Sequence, residues 1–152
     1  MTLTTKETDI LKDLKGQEQL CIEKYSKYKD QACDPQLKAI FSELKTTEEN
    51  HLQTICRIMN GEEVSMGSEM KKAGADKFNG GQYSLGEDCK QNDAFLCKDA
   101  LSMEKHVSGV YNTGLFEFSS PILRDTLAHI QKEEQNHGEK LYSYMAACGM
   151  YN

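Results

Sequence analysis

Apolar residues recur along this chain at intervals of three and four, the spacing that lines one face of an α-helix. A first run reads Leu11, Leu14, Cys21, Tyr25 and Tyr28, and a second reads Leu37, Phe41, Leu44, Ile55 and Ile58. A third reads Cys97, Leu101, Val107 and Tyr111, and a fourth reads Leu123, Leu127, Ile130, Leu141 and Tyr144 or Met145. Asp34-Pro35 and Ser120-Pro121 each place a capping residue before a proline, which predicts helix starts there. Gly61 and Gly149 follow the second and fourth runs as expected stops. Together these signals predict helices over about 5–29, 35–60, 92–118 and 121–148.

The second pair of helices repeats the first. A shift of 86 residues, without a gap, places Lys12-Asp13 on Lys98-Asp99, Glu18 on Glu104, Tyr25 on Tyr111 and Pro35 on Pro121. It also places Leu37 on Leu123, Glu48 on Glu134, Asn50-His51 on Asn136-His137 and Met59 on Met145. Each repeat is expected to fold as an antiparallel helix hairpin, because its turn is short. Between them, residues of about 61–91 carry Gly67, Gly74, Gly80, Gly81 and Gly86. A connection this long is uncommon inside a compact domain unless it runs the length of a bundle. A short helix over about 68–77 is a candidate within it. The expected architecture is one all-α domain over 1–152, a four-helix bundle with one long crossover, built from two repeated hairpins.

The stripes are interrupted in a regular way. In the fourth run the spacing jumps from Ile130 to Leu141, and the 3–4 rhythm across the gap lands on Glu134 and His137. In the second it jumps from Leu44 to Ile55 and lands on Glu48 and His51. Glu18 sits inside the first stripe and Glu104 inside the third. Each helix thus brings a carboxylate to the middle of its core face, and two add a histidine one turn later. An unpaired buried carboxylate costs several kcal/mol, and several together repel one another. No Lys or Arg lies on these stripes to offset them. Two divalent cations would balance four carboxylates, with neutral imidazoles completing the coordination. Glu-x-x-His puts both side chains on one helix face, so the spacing suits that chemistry. The competing reading leaves these residues on solvated faces, but it requires all four stripes to be misplaced.

Composition fits a thin core with something else at its centre. Leu, Ile, Val and Phe number 29 of 152 residues, near the level below which a chain struggles to fold. Only 3 are Val, which disfavours sheet. A net charge of −6 argues against a nucleic-acid partner, which would call for a basic patch. The opening MTLTTKETDILKDLK lacks the apolar segment of a signal peptide, and no stretch approaches a membrane span. Synthesis in the cytoplasm without a membrane partner is expected. The cysteines at 21, 33, 56, 89, 97 and 148 form no C-x-x-C. Most are expected to be small buried apolar residues, the alternative being cross-linking in an oxidising assembly.

One Glu on each of two helices and Glu-x-x-His on each of the other two resembles the ferritin-like di-iron carboxylate arrangement. The resemblance spans both halves of the chain, crossover included. It implies that Glu18 and His51 hold one metal, Glu104 and His137 the other, and that Glu48 and Glu134 bridge them. Tyr25, seven residues after Glu18, and its repeat mate Tyr111 resemble the tyrosine that hydrogen-bonds a ligand carboxylate in ferritins and bacterioferritins. Iron is the metal this implies, and the ligand types also accept Mn or Zn.

A second, narrower resemblance lies in the C-terminal half. Glu104-Lys105, Tyr111-Asn112-Thr113, Pro121, Leu123-Arg124, Tyr144-Met145, Gly149 and Tyr151 fit the pattern of the Coat F family of bacterial spore coat proteins. That family is ferritin-like in fold and belongs to endospore formers. The resemblances imply a spore-coat-type protein with a dinuclear site, oxidising Fe(II) or scavenging peroxide or O2. The alternative is a structural coat protein with a structural or vestigial site, its partners being other coat proteins or further copies of itself. Glu23, Glu49 and Glu133 neighbour the proposed ligands but are expected to point elsewhere. His106 and His129 are expected at the surface, and Glu117 is a candidate neighbour of the site. No phosphate-binding Gly loop and no nucleophile elbow occurs.

Overall fold

The computed structural model describes residues 2–65 and 77–151. Four helices account for most of them: α1 (Thr5–Gln31), α2 (Pro35–Met59), α3 (Glu87–Leu115) and α4 (Pro121–Ala147). No strand occurs among the described residues. The candidate helix over 68–77 lies, apart from Lys77, outside the described residues.

Local chemistry explains the boundaries. Thr4 and Glu7 form a reciprocal capping box, each side chain accepting from the other's backbone N–H at 3.1 Å. Asp34 caps α2 by accepting from Gln36 N at 3.0 Å, and Ser120 caps α4 by accepting from Leu123 N at 3.3 Å. Gly61 and Gly149 take φ of 91° and 68°, the left-handed conformation that ends a helix. α3 departs from expectation by starting five residues early, at Glu87. Its N-cap is Gly86, which offers no side-chain bond to mark the start. Glu87 and Asp88 instead favour the start electrostatically, at the positive end of the helix dipole. α3 also stops at Leu115, three residues short of expectation, and Phe118 folds back into the end of the core.

Every neighbouring pair in the bundle runs antiparallel. The turns at 32–34 and 116–120 make α1–α2 and α3–α4 hairpins. The start of α1 meets the end of α3, where Lys6 pairs with Glu117 at 2.7 Å, and the end of α1 meets the start of α3, where Asn92 Nδ2 donates to Gln31 O at 3.0 Å. α2 and α4 are also antiparallel, Glu48 meeting His137 and His51 meeting Glu134. The α2–α3 connection therefore joins opposite ends of the bundle. Val64 is buried on one side of it and accepts from the Thr126 hydroxyl at 2.5 Å. On the other side Phe78 packs edge-on against Tyr144 at 5.0 Å, and Tyr83 donates to Asp93 at 2.7 Å.

The core has two apolar ends and a polar middle. Leu11, Leu14, Ile55, Ile58, Leu123 and Leu127 fill one end, and Leu37, Phe41, Leu141, Tyr144 and Met145 fill the other. At the second end a buried Asp93 accepts from Cys33 N (2.8 Å) and Asp34 N (3.0 Å), while Asp34 accepts from Tyr144 OH at 2.6 Å. A disulfide joins Cys33 to Cys89 beside this knot, tying the first hairpin's turn to the start of α3. Cys21, Cys97 and Cys148 are free and buried and Cys56 is free and half-buried, so four of six cysteines serve as packing and two as a cross-link.

Candidate metal centre

The polar middle of the core is a cluster of four carboxylates and two imidazoles. Glu18 comes from α1, Glu48 and His51 from α2, Glu104 from α3, and Glu134 and His137 from α4. None is more than 5% exposed. They meet because each occupies a stripe position at the same height in its helix. Among the described residues no Lys or Arg is buried.

Two overlapping groups of potential ligands emerge. Glu18, Glu48, His51 and Glu134 bring one ligand atom each to within 4.8 Å of one another, and so do Glu48, Glu104, Glu134 and His137. Glu48 and Glu134 belong to both groups. His51 Nδ1 lies 3.1 Å from Glu48, 2.8 Å from Glu134 and 3.7 Å from Glu18. His137 Nδ1 lies 2.9 Å from Glu48, 3.3 Å from Glu104 and 3.8 Å from Glu134. Both rings turn Nδ1 inward, and they stack 6.1 Å apart at an angle of 22°.

Two tyrosines clasp the cluster across the pseudo-two-fold relation of the repeats. Tyr111 on α3 donates to Glu18 on α1 at 2.6 Å, and Tyr25 on α1 donates to Glu104 on α3. Each phenol thus supports the carboxylate contributed by the other repeat. Burial first, and the cluster's negative charge second, push both phenols well above their ordinary range, so they act as donors.

Electrostatics shows the cost of the arrangement. Burial and the neighbouring Glu48 raise Glu18 to about 8. Burial and Glu104 hold Glu134 well above the carboxylate range. Burial alone would lower both histidines, but the carboxylates outweigh it. His137 rises to about 10 beside Glu104 and Glu48, and His51 rises well above its usual value beside Glu133, Glu134, Glu18 and Glu48. Burial also opposes charge on Glu48, yet the neighbouring Glu18 carboxyl and hydrogen bonds with His137 and His51 keep it well below the ordinary range. Protons therefore hold together what like charges would push apart. Even so, Glu18 Oε2, Glu104 Oε2 and both oxygens of Glu134 lack any hydrogen-bond partner. His51 approaches Glu134 without hydrogen-bond geometry. Three carboxyl groups with orphaned oxygens at one point in a core are expensive, each costing about 1–3 kcal/mol. Cations would satisfy them, so the donor set fits a pair of metal ions.

Two residues stand differently from expectation. Glu133 does not point away: its Oε1 lies 3.2 Å from His51 Nε2 and 3.3 Å from His129 Nε2. His129 is half-buried rather than on the surface, and the three groups form a chain from the α4 flank to the cluster. The repeat gave no hint of this, because the mate of Glu133 is Thr47. The signal lay in helix geometry, since α2 packs beside the stripe of α4 and covers its preceding position. Glu117 is removed from the cluster, paired with Lys6 at the far end of α3.

Residues 92–152, comprising most of α3 and all of α4, match the Coat F domain. No curated protein and no solved structure matches the chain significantly. No helix among the described residues is long and apolar enough to cross a membrane.

Proposed function

We propose that the chain is a ferritin-like protein of the spore-coat type that carries a dinuclear metal centre, with iron as its metal. The observation that carries this reading is the set of four orphaned oxygens inside a double group of ligand atoms that share Glu48 and Glu134. In this reading Glu18 and His51 would hold one ion, Glu104 and His137 would hold the other, and Glu48 and Glu134 would be shared between them. Bound there, an iron pair would supply oxidation of Fe(II) by dioxygen or peroxide, whereas zinc would supply no redox step. Tyr25 and Tyr111 fix the carboxylates of Glu104 and Glu18, and Glu133 fixes the ring of His51 through Nε2. The apolar ends of the bundle keep bulk water from the cluster.

The Coat F match favours a second reading. The chain would assemble with other coat proteins or with itself, and the cluster would serve the fold alone. Elemental analysis of protein purified without added metal, followed by anaerobic Fe(II) titration and exposure to oxidant, separates the two. About two ions per chain and a new near-ultraviolet band on oxidation support the oxidase reading. Metal that binds without a change on oxidation supports the structural reading. Less than about a tenth of an ion per chain, before and after titration, refutes a metal centre of either kind.

A further inference from the structure

A cavity of about 360 Å³ lies between α3 and α4, with Glu104 and Glu134 at its floor. Leu101, Ser108, Gln135 and Gly138 wall it, and Lys105 stands with them. It owes its existence to two small residues. Under the 86-residue repeat, Glu104 and Glu134 correspond to Glu18 and Glu48, while Ser108 and Gly138 correspond to Ile22 and Leu52. The α1–α2 face thus carries two branched, half-buried side chains where the α3–α4 face has a hydroxyl and no side chain at all. The two halves share their carboxylates and differ in what covers them. Leu101 completes the picture. It was expected in the stripe, but Ala100 and Met103 take the core positions and Leu101 is left half-buried at the cavity wall.

We infer that this cavity is the entrance by which small uncharged molecules of dioxygen or peroxide size reach the Glu104–Glu134 side of the cluster, and that the equivalent face of the first hairpin is closed. A wall of leucine, glycine and the stems of longer side chains favours a small uncharged solute over an ion, whose hydration is far costlier to lose. A cation entering there would pass the ammonium of Lys105 and, above the carboxylates at the floor, meet only one hydroxyl and one amide in exchange for its water. A second approach lies elsewhere, where Glu43 and Glu133, with Lys140 beside them, line a narrow gap between α2 and α4 that leads to His137. The inference rests on the proposed metal centre only for what the molecule meets at the floor.

Gly138→Leu restores the residue present in the repeat. A Cβ at Gly138 would lie 3.5 Å from Leu101 Cδ1, an ordinary contact, so the side chain extends into the cavity without displacing backbone. Replacing a mid-helix glycine also favours the helix. Dissolved dioxygen relaxes nearby methyl resonances and needs no bound metal to do so. In chelator-treated protein the Leu101 methyls are expected to be relaxed several-fold more than those of Leu52, and Gly138→Leu brings them to the Leu52 level. Equal relaxation of Leu101 and Leu52 in the parent protein overturns the entrance. On Fe(II)-loaded protein of equal metal content, Gly138→Leu slows oxidation by peroxide by about tenfold or more, while Co(II) uptake keeps its rate and stoichiometry. Unchanged oxidation, or Co(II) uptake slowed equally, also overturns it. Protein that shows the Leu101 effect but binds no metal leaves the entrance standing and refutes the centre alone.

Discussion

Glu134 is where a polar core residue should behave opposite to an ordinary one. It is 1% exposed, both of its oxygens lack hydrogen-bond partners, and Glu104 stands beside it. Truncating or changing a well-packed core side chain costs stability. Glu134→Leu keeps most of the volume and removes an unsatisfied group whose burial costs about 1–3 kcal/mol. His51 keeps Glu48 at 3.1 Å and Glu133 at 3.2 Å, so the substitution does not strand it. In the presence of chelator the variant should be more stable than the parent by about 1–3 kcal/mol, or roughly 3–10 °C for a chain of this length. With metal at about 100 times its dissociation constant, the parent should gain roughly 2.7 kcal/mol per linked site, and the variant little. The order of stability then reverses. Thermal melts followed by circular dichroism, with and without chelator, read both arms. A variant less stable than the parent in chelator refutes the claim that the metal-free cluster is strained. A variant that keeps the full metal-induced gain refutes Glu134 as a shared ligand.

Three further outcomes follow from the same geometry. For metal-free protein, stability should fall as pH rises from about 4.5 through 8 and on to about 10. Glu18 at about 8 and His137 at about 10 both hold protons that the unfolded chain releases near 4.5 and 6.5, so the native state binds more protons throughout that window. Urea melts across the range test the sign, and saturating metal should flatten the slope because it displaces those protons. Asp93→Ala leaves the N–H groups of Cys33 and Asp34 and the Tyr83 hydroxyl without their acceptor, and should cost about 3–5 kcal/mol in equilibrium unfolding; a loss under about 1 kcal/mol would show that water replaces it. Cys89→Ser opens a cross-link between residues 56 apart, and chain entropy sets a loss of about 4 kcal/mol, to be read as a lower urea midpoint matched by the reduced parent.

Much of the fold was legible because it is local. The 3–4 rhythm marks the four stripes, and Asp34-Pro35, Ser120-Pro121, Gly61 and Gly149 mark ends by their own backbone preferences. Where a cap lacks a side chain, as at Gly86, the sequence carries no marker, and α3 starts five residues before its expected place. Glu18, Glu48, His51, Glu104, Glu134 and His137 stand out on paper because they break an apolar rhythm, and that needs no knowledge of neighbours. Which atoms meet does depend on neighbours. That Glu48 and Glu134 fall in both ligand groups, that Tyr25 and Tyr111 cross between repeats, and that Glu133 reaches His51 depend on helix rotation and spacing. The cavity under Gly138 and the pairing of Cys33 with Cys89 belong to the same class. The sequence determines which face of each helix turns inward, since hydrophobic periodicity is a property of one helix. Only the packed bundle decides what that face touches, since contact between helices depends on all the side chains between them at once.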